Sequence, residues 1–233
     1  MPGKQEKAGR PSKYIFAALR GAKSTGKAEN AVHIALTFDD GPNTEITPRV
    51  LDILEGNGVR ASFFLIADAI TPESAKVARR AWEMGCEINN HSKTHDFMDR
   101  MAPETIREEI AYCTQKIVEI TGVPPRFFRP PYIAVNQTLY DNVDLTFICG
   151  VGCEDWVPQV TARQRIDRIL ASAKDGDILL LHDMPGNENT VEAIRTVIPE
   201  LKKRGFEFVT CGELFACKGV TPERGKIYSN VWD

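Results

Sequence analysis

"ALTFDDGP", residues 35–42, is the stretch on which the fold turns. Ala35, Leu36 and Phe38 form an apolar run of strand character, and the run finishes in two adjacent carboxylates, Asp39 and Asp40, closed by Gly41-Pro42. Like charges side by side at the edge of a core are costly unless a cation or a hydrogen-bond network relieves them. A strand that ends this way places chemistry at its carboxyl end, and the rest of the chain repeats the arrangement.

Outward from residue 31, strand-length apolar runs alternate with helical patterns. The strand candidates are residues 32–38, 60–66, 86–91, 126–129, 145–150, 177–182 and 206–210, seven in all. Between them, Thr47–Glu55 puts Val50, Ile53 and Leu54 on one face, with Gly56 and Gly58 as stop signals. Thr71-Pro72 opens a second helix with a cap residue and a first-turn proline. In the third, Ile106, Ile110, Cys113, Ile117 and Ile120 recur every three or four residues until Gly122 ends the run. Segments 161–174 and 190–204 have the same character, and 135–143 is read as a short helix. Alternating strands and helices predict a parallel sheet, and near-continuous apolar strands predict that both its faces are covered. The pattern fits both an open doubly wound sheet and a closed barrel. No glycine-rich phosphate loop follows the first strand, which argues against nucleotide binding.

A chain of 233 residues with 42% hydrophobic content suits one globular domain. With 29 basic against 32 acidic residues, composition argues against a broad nucleic-acid or anionic-membrane surface and favours a neutral or mixed-charge partner. It does not fix the oligomeric state. Six cysteines without a C-x-x-C pair are too few for a disulfide scaffold and poorly spaced for zinc thiolates, so they read as reduced, partly buried thiols. No window approaches the roughly 18–20 apolar residues of a transmembrane helix. Residues 1–30 read as a flexible or peripheral arm, 31–217 as the catalytic domain and 218–233 as a C-terminal tail. The arm's apolar stretch, Tyr14 to Leu19, is shorter than the roughly 7–15 residues of a signal-peptide core. As written the chain reads as cytoplasmic; a longer form carrying a leader would be extracellular or associated with the cell wall.

The polar residues that look out of place share one address. Asp39 and Asp40 end the first strand, His91 the third with His95 just beyond, Arg129 the fourth, and His182 with Asp183 the sixth; Asp155 and Trp156 follow the fifth. In parallel α/β barrels the carboxyl ends of the strands form the active face. "HSKTH", residues 91–95, offers two imidazoles four residues apart, and one aspartate of the first strand completes a two-histidine, one-carboxylate metal site with room for water. One divalent ion is therefore expected, zinc first, with cobalt, nickel or manganese also suited. Neither Ser62 nor Ser92 sits in a G-x-S-x-G elbow, which argues against a serine hydrolase. His33 and Asp183 read as structural residues.

Taken in order, "TFDDGP" (37–42), "HSKTH" (91–95), "RPPY" (129–132), "DW" (155–156) and "LLLHD" (179–183) resemble the five motifs of the polysaccharide deacetylases, carbohydrate esterase family four. The resemblance covers about residues 31–215. It implies a single-domain α/β fold, a distorted seven-stranded (β/α) barrel akin to the TIM barrel. It also implies metal-dependent hydrolysis of acetyl groups on an oligo- or polysaccharide. N-deacetylation of an N-acetylglucosamine polymer of the chitin or peptidoglycan type comes first. The alternatives are O-deacetylation of acetylxylan and a catalytically silent carbohydrate binder.

Carried over residue by residue, the resemblance makes Asp40, His91 and His95 the metal ligands, Asp39 the general base and His182 the general acid. Arg129 would hold the base, Asp155 would orient the acid, and the backbone N–H of Tyr132 would meet the oxyanion. Trp156 and Leu180 would form the slot for the acetyl methyl. Ile133 stands where the family commonly has glycine, and Gly152 where it often has a further aspartate.

Overall fold

A computed structural model describes residues 31–233, and Val32–Asp233 forms one compact unit. The expectation of a peripheral arm over residues 1–30 lies outside the described residues. The elements run β1 (Val32–Asp39), α1 (Thr47–Asn57), β2 (Ser62–Leu65), α2 (Pro72–Glu83), β3 (Glu87–Asn90), α3 (Pro103–Thr121), β4 (Phe127–Phe128) and α4 (Gln137–Asn142). They continue with β5 (Thr146–Ile148), β6 (Val151–Gly152), α5 (Ala162–Ser172), β7 (Ile178–His182), α6 (Glu188–Lys203), β8 (Phe206–Val209), α7 (Cys211–Cys217) and β9 (Ile227–Tyr228).

All seven expected strands are present, and every ladder between them is parallel. The sheet runs β6-β7-β1-β2-β3-β4-β5-β9, with β8 against the start of β1. The expected fifth strand is broken: its first half, β5, pairs with β4, and its second half, β6, pairs with β7. This break joins the two ends of the sheet and curls it into the distorted barrel. Gly150 makes the bend, at φ +96; a Cβ there would lie 3.0 Å from the Ile178 carbonyl and from Leu180 Cβ. Only glycine combines that conformation with so close an approach.

Strand alternation sorts the side chains into two layers. On β1, Ile34, Leu36 and Phe38 pack outward into the core shared with the surrounding helices, among them Val50, Leu54, Cys113, Ile117, Ile194 and Val197. Ala35 faces the barrel interior with Phe64, Phe127, Ile148 and Ile178. The same period sends Asp39 inward on β1, and Leu180 and His182 inward on β7. Helix ends obey local chemistry: Thr71 and Thr161 cap α2 and α5 through reciprocal bonds with Ser74 and Gln164, and Gly58 and Gly122 close α1 and α3 in left-handed conformations.

Two elements depart from the sequence reading. Residues 218–233 pack into the wall: β9 pairs with β5, the Ser229 carbonyl accepts from the Ile178 N–H (3.0 Å), and Tyr228 and Val231 are buried. Helix α7 covers the opposite end of the barrel, where Cys211 N–H donates to Ser62 Oγ (2.9 Å) and Gly212 N–H to Glu87 Oε2 (3.3 Å). All six cysteines are free thiols. Among the described residues no helix is long and apolar enough to cross a membrane.

Candidate metal centre and catalytic pocket

The carboxyl ends of β1, β3, β4 and β7 surround one cavity of about 320 Å³, lined by Asp39, Asp40, His91, His95, Pro130, Tyr132, Ile133, Trp156, Leu180 and His182. Eight of these were expected from the sequence. Arg129 and Asp155, also expected, stand behind the wall, each fully buried and bonded to a lining residue. Pro130 and Ile133 are additions, neighbours of Tyr132 in the turn after β4.

The two adjacent aspartates differ in their nearest partners, although His91 Nε2 also lies 3.7 Å from Asp39 Oδ2. Asp39, 2% exposed, receives a hydrogen bond from Arg129 Nη1 at 2.6 Å. Arg129 in turn stacks on the Phe64 ring, its guanidinium 4.2 Å from the ring centre. Asp40 leaves the strand at φ +73, which turns its carboxylate away from its neighbour's. Its Oδ1 lies 3.4 Å from both His91 Nε2 and His95 Nε2, and the three ligand atoms fall within 4.8 Å of one another.

This trio fits a divalent cation. Asp40 Oδ1 is buried without a hydrogen-bond partner, an arrangement that is costly for a carboxylate unless something positive meets it. His91 Nδ1 donates to the Arg129 carbonyl at 2.6 Å, so Nε2 carries the lone pair and faces the other two ligand atoms. His95 is held at φ +67, its N–H donating to Ser92 Oγ (3.0 Å), itself a residue at φ +68. Burial and neighbouring His91 push the His95 imidazole below its usual pKa against the pull of Asp40 and Asp39, favouring the neutral form a ligand needs. Burial alone would raise the Asp40 carboxyl, but when the rings are protonated the neighbouring His91, with His182 and His95, brings it below its ordinary value.

Across the cavity, His182 sits directly opposite Asp39 in the β1–β7 ladder. Its Nδ1 donates to Asp155 Oδ1 (2.8 Å), while Asp155 Oδ2 accepts from the His182 backbone N–H (2.7 Å). Burial would lower this imidazole. The Asp155 hydrogen bond and charge, supported by Asp39 and Asp40, overcome that and raise it to about 9.

Trp156 packs edge-on against His182, with ring centres 5.5 Å apart. A Cβ at Gly152 would lie 3.3 Å from that indole, so an aspartate there would press on Trp156. Tyr132 and Ile133 both take left-handed conformations, φ +57 and +54, which explains why glycine suits position 133 elsewhere in the family pattern. The Tyr132 ring stacks on Phe97 at 4.0 Å and meets His95 edge-on at 4.7 Å.

Two buried residues outside the expected catalytic set lie beneath the site: Asp183, which the sequence reading took as structural, and Arg165, which it did not single out. Asp183 is buried under the turn at Gly41, accepting from Thr47 Oγ1. Burial is the main cause that raises its carboxyl to about 7, with Asp40 and Asp39 adding to it. Arg165 is buried on α5; its signal was a charged residue four positions before Ile169 on the helix's buried face.

Fold and site together define a parallel α/β barrel with, at its carboxyl face, a trio of side chains placed so that they could hold a metal ion. Comparison with known proteins agrees: the family model for polysaccharide deacetylase matches residues 26–147. The chain belongs to that family. It is 46% identical over 223 residues to a bifunctional xylanase/deacetylase of Pseudobutyrivibrio xylanivorans, covering 93% of this chain and 37% of the relative. It is 34% identical over 208 residues to the peptidoglycan-N-acetylglucosamine deacetylase PgdA of Listeria monocytogenes, covering 89% of this chain and 43% of the relative. The chain thus spans less than half the length of these curated relatives. A solved family 4 acetyl xylan esterase from Clostridium thermocellum, in complex with a cobalt ion, superposes with a TM-score of 0.83 at 42% identity, covering 85% of this chain and 98% of that one.

Proposed function

We propose that the protein hydrolyses acetyl groups from a carbohydrate, with Asp40, His91 and His95 holding one divalent ion. Zinc is the first choice, and cobalt, nickel or manganese also suit two imidazoles and a carboxylate. A dication at that point supplies an acidified water, its pKa brought toward about 7, and a polarised acetyl carbonyl. Asp39, held by Arg129, takes the proton as water attacks. The Tyr132 N–H donates to the oxyanion of the tetrahedral intermediate. The acetyl methyl sits against Trp156 and Leu180. His182, charged through Asp155, delivers its proton to the departing oxygen or nitrogen. No covalent intermediate on the protein is required.

The observation that carries this reading is the separation of two adjacent carboxylates, Asp40 turned to two imidazoles and Asp39 to a buried arginine. For the substrate, the relatives at 46% and 42% identity carry xylan in their names, which favours an acetyl ester on xylan. An N-acetylglucosamine polymer is the second reading, favoured by the Listeria relative. Attack by water followed by protonation of the leaving atom serves ester and amide alike. The test is acetate release from acetylated xylan and from N-acetylglucosamine oligomers, with and without chelator. Chelator-sensitive release from either supports the reading; oligosaccharide binding without acetate from either would make the protein a silent binder.

A further inference from the structure

Behind His182 lies a buried chain of hydrogen bonds that the roles above leave unused. Arg165, on α5, is 1% exposed, yet among the described residues no carboxylate touches its guanidinium. Its Nε donates to the Val160 carbonyl (3.0 Å), and its Nη1 to Asn187 Oδ1 (2.6 Å) and Thr190 Oγ1 (2.7 Å). A buried cation with only neutral acceptors is costly unless a negative charge stands close by. That charge is Asp155, one bond further on: Thr190 Oγ1 donates to Asp155 Oδ2 at 2.8 Å, and Asn187 Nδ2 lies 3.4 Å from the same oxygen and donates to the His182 carbonyl at 2.9 Å.

The direction of this chain is forced. Guanidinium can only donate, so Thr190 must accept from Arg165 and spend its single hydroxyl proton elsewhere. Asp155 Oδ2 receives it. The Asn187 amide is fixed in the same way, carbonyl to Arg165 and NH2 toward Asp155 and His182. Asp155 Oδ2 is thereby saturated with donors, which leaves Oδ1 for the imidazole.

We propose that Arg165, acting through Thr190 and Asn187, is a positioning residue that locks the Asp155 carboxylate and sets how tightly the Asp155–His182 pair holds its proton. The inference rests on the reading of His182 as the leaving-group acid. A fixed positive charge and two donors at Oδ2 draw electron density from Asp155; without them the carboxylate is more basic and grips the His182 proton more firmly, making a weaker acid. The other charged groups facing His182 are Asp39 and Asp40 at the end of β1 and His95 beyond β3, all untouched by substitution at 165 or 190.

The experiment is an NMR titration of the His182 side chain in chelated protein, paired with pH profiles of acetate release by the metal-loaded enzyme. In Arg165→Met the His182 midpoint rises by about one pH unit, and kcat falls roughly three- to tenfold at unchanged KM. Thr190→Val, charge-neutral and nearly isosteric, moves both in the same direction by less. Thr190→Ser and Arg165→Lys return toward the parent values.

If Arg165→Met does not fold, Thr190→Val decides. A folded Thr190→Val protein whose midpoint and kcat stay put, or whose midpoint moves down, overturns the proposal even if its melting temperature falls. His182→Asn separates the two readings. Full activity in that variant removes His182 as the acid, whereas a network that leaves the His182 titration unchanged fails regardless of which residue is the acid.

Discussion

Replacing Asp155 by asparagine should disable the enzyme at alkaline pH and largely spare it at acid pH. Asp155 Oδ2 accepts from the His182 N–H and the Thr190 hydroxyl as its two short bonds, with Asn187 Nδ2 further off at 3.4 Å, whereas Oδ1 meets only the His182 ring. An asparagine will therefore keep its carbonyl toward the two donors and turn its NH2 toward His182 Nδ1, where it opposes a protonated ring. Burial, the largest influence on His182, then acts against only the more distant Asp39 and Asp40. The midpoint falls from about 9 toward the ordinary value of 6.5. At pH 8 the protonated fraction drops from about nine-tenths to about 3%, roughly a thirtyfold loss, while at pH 6 the loss is less than twofold. The assay is kcat for acetate release between pH 5.5 and 9.5, with the His182 titration followed by NMR in chelated protein. An equal loss at every pH would show that Asp155 only supports shape, and an unmoved His182 midpoint would refute the pairing itself.

Asp39→Asn should lower turnover by about 10²–10⁴-fold while metal still binds, and His91→Ala should lose both, as read by acetate release and metal content. Asp183→Asn should stabilise the chelated protein at pH 8 by up to about 4 kcal/mol and leave it unchanged at pH 4. The sign follows from a carboxyl raised from 3.8 to about 7, whose burial penalty grows as pH rises between those values. Urea unfolding at the two pH values checks it. Gly150→Ala should cost at least about 1–3 kcal/mol, because a side chain at φ +96 also meets the Ile178 carbonyl, Leu180 and Arg129 Nη2. An undiminished urea midpoint would contradict the broken-strand account of barrel closure.

The face that carries the candidate site was legible because strand period and strand end are both written in one dimension. A run such as "ILLLH" alternates outward Leu179 and Leu181 with inward Leu180 and His182, so its polar last residue falls on the interior face at the mouth. What was not legible depends on contacts across the sheet. The two-residue β9 has no period of its own and exists through its pairing with β5 and the bond from Ile178 N–H. The break at Gly150 becomes necessary only when Ile178 and Leu180 approach it from β7. Helix α7 did leave a trace: Thr210 and Glu213 form a capping box, a spacing visible in "TCGE". Arg165 and Thr190 lie 25 residues apart on different helices, and nothing in either local pattern announces that they meet under Asp155.

The most direct test of the account is acetate release as chelated protein is titrated with zinc. The account predicts no release without metal, and activity rising in proportion to added zinc until one equivalent per chain is bound. Undiminished release from fully chelated protein, or full activation by zinc when Asp40, His91 and His95 have all been replaced by alanine, would contradict it.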